Sequence, residues 1–157
     1  MSHRSLAIIG LSLLLVVPGL AGDGIDVETA RILDRIALEM EKATMDGQFK
    51  TLVSFYAEDC VVMPDFQPPI RGRQALRRIY GENEKTGLVY HAFDGTVEER
   101  WASGGKIYER GSFGMTVSNK PHAQPRGYFG SYFQIWERQG DSYKLEFVIW
   151  NLDHAPH

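Results

Sequence analysis

Phe55-Tyr56-Ala57-Glu58-Asp59-Cys60-Val61-Val62-Met63-Pro64-Asp65-Phe66-Gln67-Pro68-Pro69-Ile70-Arg71-Gly72 compresses a helix end, a short strand, a loop and a helix start into one passage. Pro64 to Pro69 holds three prolines, none with a backbone N–H to give, so neither a helix nor a central strand runs through it. Cys60 to Met63, apolar throughout, reads as a strand that ends at this loop. A helix then runs from about Arg73 to Glu84 and buries Ala75, Leu76, Ile79 and Tyr80.

Upstream, Asp26 is a natural N-cap. From there to about Met45 the apolar residues Ile32, Leu33, Ile36, Ala37, Met40 and Ala43 recur every three or four positions, opposite Glu28, Arg31, Arg35, Glu39 and Lys42. Asp46-Gly47 breaks this helix, and a second short one places Phe49, Leu52, Val53 and Tyr56 on one side. Downstream of Gly87 the spacing changes to two. Leu88 to Trp101, Lys106 to Ser118, Arg126 to Arg138 and Tyr143 to Asn151 are rich in aromatic and β-branched residues, as strands are. Gly104-Gly105 and Gln139-Gly140-Asp141 read as hairpin turns, and Asn119 to Pro125 as a longer connection. Consecutive strands with short turns form an antiparallel meander. The expected class is α+β, a cone with three N-terminal helices packed on a strongly curved, mainly antiparallel sheet. No internal repeat or linker interrupts residues 22–157, which read as one domain.

Ser2-His3-Arg4 and the apolar run Leu6 to Val17 form a basic head and a core too short to span a bilayer. Pro18 follows, with the small residues Gly19 and Ala21 at the positions a signal peptidase reads. Residues 1–21 are therefore expected to be a signal peptide, in a secreted or periplasmic protein with no stable membrane insertion after cleavage. A membrane anchor or a buried helix is the alternative. With 17 basic and 20 acidic residues and a net charge of −3, the composition argues against a nucleic-acid partner. Cys60 is the single cysteine and cannot close an internal disulfide. Flanked by Val61 and Val62, it reads as a buried, inert thiol.

The order helix, helix, short strand, helix, four long strands resembles the nuclear transport factor two cone. Asp46-Gly47, Phe55 to Asp59, Pro64, Ile70-Arg71-Gly72, Glu109-Arg110-Gly111, Gly127 through Trp136-Glu137-Arg138 and the ending Trp150-Asn151 bring it nearer to the SnoaL-like and ketosteroid-isomerase-like proteins. That resemblance implies a curved sheet and three helices enclosing a pocket for a small apolar molecule, without a cofactor. It also implies an outer sheet face that often pairs with a second subunit. The strands fit this, since Tyr128, Tyr132 and Trp136 point one way and Phe129, Phe133 and Ile135 the other. Either the outer set forms a homodimer interface or the chain's own helices and loops cover it.

The resemblance implies three catalytic groups, none of which is filled residue for residue. An isomerase of this kind uses an Asp base near the end of the first strand, a Tyr from the first helix and a protonated acid on a late strand. Those positions fall at Pro64, with Asp65 one beyond, near Met40, and near Tyr132. The polar groups expected to point into the cone are Tyr56, Asp65, His91, Glu109, Tyr132 and Asn151, with Trp136 and Trp150 as apolar lining. Asp65 and Glu109 are the two candidates for acid/base chemistry of isomerase, cyclase or dehydratase type, since a carboxyl in an apolar cavity is tuned toward proton transfer. Alternatively Glu109 pairs with an arginine such as Arg100 or Arg126 across the sheet. His91 lies between Val89 and Phe93 on its face and reads first as a satisfied structural histidine, with a catalytic role as the alternative. His122, His154 and His157 lack the spacing of a metal site, so none is expected. Arg71, Arg73, Arg77 and Arg78 form the one basic cluster. The two sides of a helix start would split them into a solvated face, unless Arg71 beside Gly72 meets an anion. The competing function is a non-catalytic dimerisation or partner-association module.

Overall fold

The computed structural model describes residues 24–118 and 123–153, the side chains of 83, 84 and 86 excepted. The expected signal peptide and His122, His154 and His157 lie outside them. Helix α1 spans Val27–Met45, and its N-cap Asp26 accepts from the Thr29 N–H and hydroxyl, both at 2.8 Å. Short α2 (Phe49–Val53) leads into strand β1 (Tyr56–Met63), and β2 (Ile70–Arg71) precedes α3 (Arg73–Thr86). Strands β3 (Val89–Ser103), β4 (Lys106–Ser118), β5 (Arg126–Gln139) and β6 (Ser142–Leu152) complete the chain.

The six strands form one sheet in the order β2-β1-β6-β5-β4-β3. The four long strands are the antiparallel meander expected from their spacing. Strand β1 is different: it lies parallel to β6, with Val62 beside Val148, and β2 pairs back onto it as a two-residue edge. The hairpin between β3 and β4 turns at Gly104-Gly105, both at positive φ, as a tight two-residue turn requires.

Alternation along β4 sorts the sheet into two faces. Ile107, Glu109, Phe113 and Met115 share one with Trp136, Gln134, Tyr132 and Tyr128 of β5. The helices pack on this inner face, where Leu33, Ile36 and Leu76 meet Cys60, Val62, Ile107, Trp136, Leu145 and Val148 in one buried core. A smaller core of Ala43, Phe49 and Leu52 joins α1 to α2. The outer face carries Tyr108, Phe133, Ile135 and Phe147 in register, with Trp101 stacked on Tyr108 at 5.6 Å between ring centroids.

Two glycines let aromatic rings lie flat on the inner face. A Cβ on Gly111 would stand 2.8 Å from the Tyr132 hydroxyl oxygen and 2.0 Å from the Thr96 carbonyl oxygen. One on Gly130 would stand 2.7 Å from the Phe113 ring and 2.1 Å from the Asn151 carbonyl oxygen. Only a residue without a side chain admits both the ring and the neighbouring strand. Strand β3 is interrupted twice, between Tyr90 and Ala92 and between Val97 and Glu99, and each interruption shifts the phase of its alternation.

Candidate functional site

The inner face holds one buried charged network. Glu109 is 2 % exposed, on the strand between Arg100 of β3 and Gln134 of β5. Arg100 Nε donates to Glu109 Oε2 at 2.5 Å, and Nη2 lies 2.5 Å from the same oxygen but off the N–H direction. Gln134 Nε2 donates to Oε1 at 2.6 Å and the Tyr132 hydroxyl donates to it at 3.1 Å. Arg100 also reaches Asp34 of α1, with Nη1 at 2.9 Å from Oδ1, so the network ties helix to sheet. Burial works against the charge on Arg100, but Glu109 and Asp34 outweigh it and its guanidinium is held above the usual range. Burial and the Glu109 carboxylate together push the Tyr132 hydroxyl up as well. Three donors therefore converge on one carboxyl group and engage both of its oxygens.

Beyond this network the same face becomes an aromatic wall. Phe93 stacks on Phe113 at 6.4 Å, Phe113 meets Trp150 edge-on at 6.1 Å, and Tyr90 meets Phe93 at 6.4 Å. Met115 pairs with both Phe93 and Tyr128 across the strands. Phe93, Phe113, Met115, Tyr128, Tyr132 and Trp150 are all half-buried although they lie on the face that the helices cover elsewhere.

The other expected site residues are distributed differently. Asp65 accepts the Leu152 N–H on Oδ2 at 2.8 Å and so fastens the proline loop to the end of β6. The row through Leu152, Gly130 and Phe113 lies four residues along β4 from Glu109, or about 13 Å, so the two carboxyls do not form one constellation. Tyr56 is 6 % exposed, packed in the core with Cys60 and close enough to Tyr80 for their hydroxyls to interact. Burial raises both hydroxyls, and the Cys60 thiol too. Trp136 is 1 % exposed, within the core rather than on the wall, and its indole N–H has no partner among the described residues.

His91 and Asn151 do not point into the cone. The β3 interruption after Tyr90 breaks the alternation that grouped His91 with Val89 and Phe93, and His91 Nε2 sits 2.9 Å from Ser118 Oγ. Asn151 pairs with Ser131 on the outer face. Sequence reasoning missed Gln134 and Asp34. Gln134 was readable, since it alternates with Tyr132 and Trp136. Asp34 was not, because its partner lies 66 residues away. Among the described residues, no three His, Cys, Asp or Glu side chains gather where a metal ion could be held.

No family model matches this chain, and no curated protein matches its sequence. Solved structures do. A ketosteroid isomerase-like protein from Erwinia carotovora atroseptica superposes with a TM-score of 0.70 at 15% identity, covering 83% of this chain and 100% of its own. A proposed dehydratase of the NTF2-like family from Streptomyces avermitilis gives 0.67 at 14% identity, over 81% of this chain and 98% of its own. A proposed calcium/calmodulin-dependent protein kinase II association domain from Xanthomonas campestris gives 0.63 at 12% identity, over 87% and 97%. The chain therefore has the α+β cone fold of the NTF2-like proteins, a scaffold that carries names of enzymes and of an association domain alike.

Proposed function

We propose that this chain binds a small, largely apolar molecule on its inner face, between Phe93, Phe113, Met115, Tyr128 and Trp150, with Tyr132 beneath. The observation that carries this reading is the half-buried aromatic wall standing directly beside the closed Glu109 network. A wall of this kind leaves apolar area that a ligand would remove from water. Tyr132 commits its proton to Glu109, so toward a ligand it offers an oxygen lone pair. The favoured compound is thus apolar with an N–H or O–H near one end. Binding without turnover suits the arrangement better than acid/base chemistry at Glu109, which already meets three donors. Isomerase, cyclase or dehydratase chemistry would rest on Asp65, where Oδ2 alone is engaged among the described residues. In this reading the protein is exported, as the head and cleavage pattern of residues 1–21 suggest.

A second reading, association through the sheet, has its own support. Trp101, Tyr108 and Phe133 cluster on the outer face, with Ile149, 38 % exposed, paired to Phe133 and Phe129, 69 % exposed, farther along β5. A second copy laid face to face would cover that surface, and it leaves the inner wall free.

The test is mass spectrometry of purified protein under native conditions for a retained small molecule, with titration of neutral N-phenylnaphthylamine as a probe. Saturable binding that Trp150→Ala or Phe113→Ala weakens about tenfold is the expected result, since each removes a large apolar contact. Binding that both variants leave intact would place the ligand elsewhere.

A further inference from the structure

A cleft opens where β2 runs into α3. Its volume is about 850 Å³, and Arg71, Arg73, Arg77 and Arg78 line it with Glu58. The helix was expected to split these arginines between two sides. Instead Arg71 enters from β2, the helix supplies the other three, and all four border one space.

What marks this cleft is the gathering of positive charge around one space. The four cleft arginines make no ion pair among the described residues, and four guanidinium groups face a single carboxylate in a chain of net charge −3. Arg73 and Arg77 are also one helical turn apart, where like charges oppose helix formation. The backbone that carries them is fixed from both sides. Leu76 is 1 % exposed in the core, and Arg73 Nη1 donates to the Tyr56 carbonyl at 3.3 Å. The guanidinium is a planar fork suited to bidentate contact with tetrahedral oxyanions, and several forks around one space would share a multiply charged one.

We propose that this cleft binds a phosphate-type oxyanion, carried by a small phosphorylated molecule or by a lipid headgroup, independently of the aromatic wall. The first experiment titrates inorganic pyrophosphate into the full chain at low salt, followed by amide chemical shifts. Perturbations should concentrate at Glu58 and residues 71–78, and affinity should fall as salt rises. Arg77→Ala combined with Arg78→Ala should weaken binding by about tenfold or more without lowering the melting temperature. The Lys pair at the same positions should recover part of the loss. Arg31→Ala with Arg35→Ala, on α1, should change nothing. Co-sedimentation with phosphatidylcholine vesicles, with and without phosphatidylglycerol, separates the sources. Pelleting only with the anionic lipid assigns a headgroup, and a pyrophosphate response without pelleting assigns a soluble phosphate. The proposal fails if wild type neither responds to pyrophosphate nor pellets with anionic vesicles, or if the Ala pair behaves like wild type.

Discussion

Glu109 shows how one buried side chain sets the character of a whole face. Its carboxylate takes Arg100, Gln134 and Tyr132, and Arg100 hands a further bond to Asp34. Glu109→Gln would leave a guanidinium whose side chain is 10 % exposed with only the exposed Asp34 to balance it. A loss of about 3 kcal/mol in denaturant unfolding is expected, because breaking a buried pair from one side strands the other charge. Replacing both partners, Arg100→Met with Glu109→Leu, should cost less than the single change, and a cost at least as large would show that the pair itself stabilises the fold. Probe binding at the aromatic wall should survive Glu109→Gln. If binding instead vanishes while the melting temperature holds, Glu109 belongs to the ligand site. Gly111 gives a sharper steric case. Gly111→Ala would press a methyl onto the Thr96 carbonyl and the Tyr132 ring together, and a destabilisation on the order of 3 kcal/mol should follow in the same measurement.

At the level of elements, β1, α3 and β3 are joined by tyrosines rather than by aliphatic packing alone. Tyr56, Tyr80 and Tyr90 lie against Phe49 and Cys60 where these elements meet α2. Burial raises all three hydroxyls, Tyr90 to about 12. An unfolded tyrosine titrates near 10, so the folded chain holds these protons longer than the unfolded one. Their contribution to stability is intact below pH ~10 and is lost as pH rises through the folded values, on the order of 2 kcal/mol for Tyr90 alone. Melting temperature should fall steeply between about pH 10 and 12, and the share of tyrosinate absorbance that Tyr90→Phe removes should appear only as the chain unfolds. Tyr90→Phe should make that fall shallower. A flat profile in which that share appears early would mean that the cluster opens to water without unfolding.

For the molecule as a whole, the proposed pairing makes a clear demand. The outer face places Trp101, Tyr108 and Phe133 beside Ile135 and Phe147, and among the described residues no helix packs on it. Light scattering on residues 22–157 at micromolar concentration should report twice the monomer mass. Phe133→Lys should convert it to monomer, since a charge at the centre of an apolar contact has no partner there. A wild-type monomer would overturn the dimer and leave the outer face as ordinary surface. If Phe133→Lys yields a folded monomer that still binds the neutral probe, the wall acts within one subunit.

Much of this architecture is written in short stretches of chain. Asp26 and the three-and-four spacing after it set α1, because capping and amphipathicity depend on residues within a few positions of each other. Alternation bounded by glycine and serine set β4 at Lys106–Ser118, and three prolines confined β1 to the stretch before them. Alternation along β4 also placed Glu109 among apolar neighbours and exposed the need for a partner, with Arg100 and Arg126 both in reach of the argument. Tertiary structure alone chose Arg100, since that choice depends on the register between β3 and β4. It also decided the parallel seat of β1 beside β6, the interruption that turned His91 away, and the meeting of four arginines around one cleft. Each of these joins residues distant in sequence or shifts a strand by one position. A local pattern cannot register either, because alternation has no memory across an extra residue.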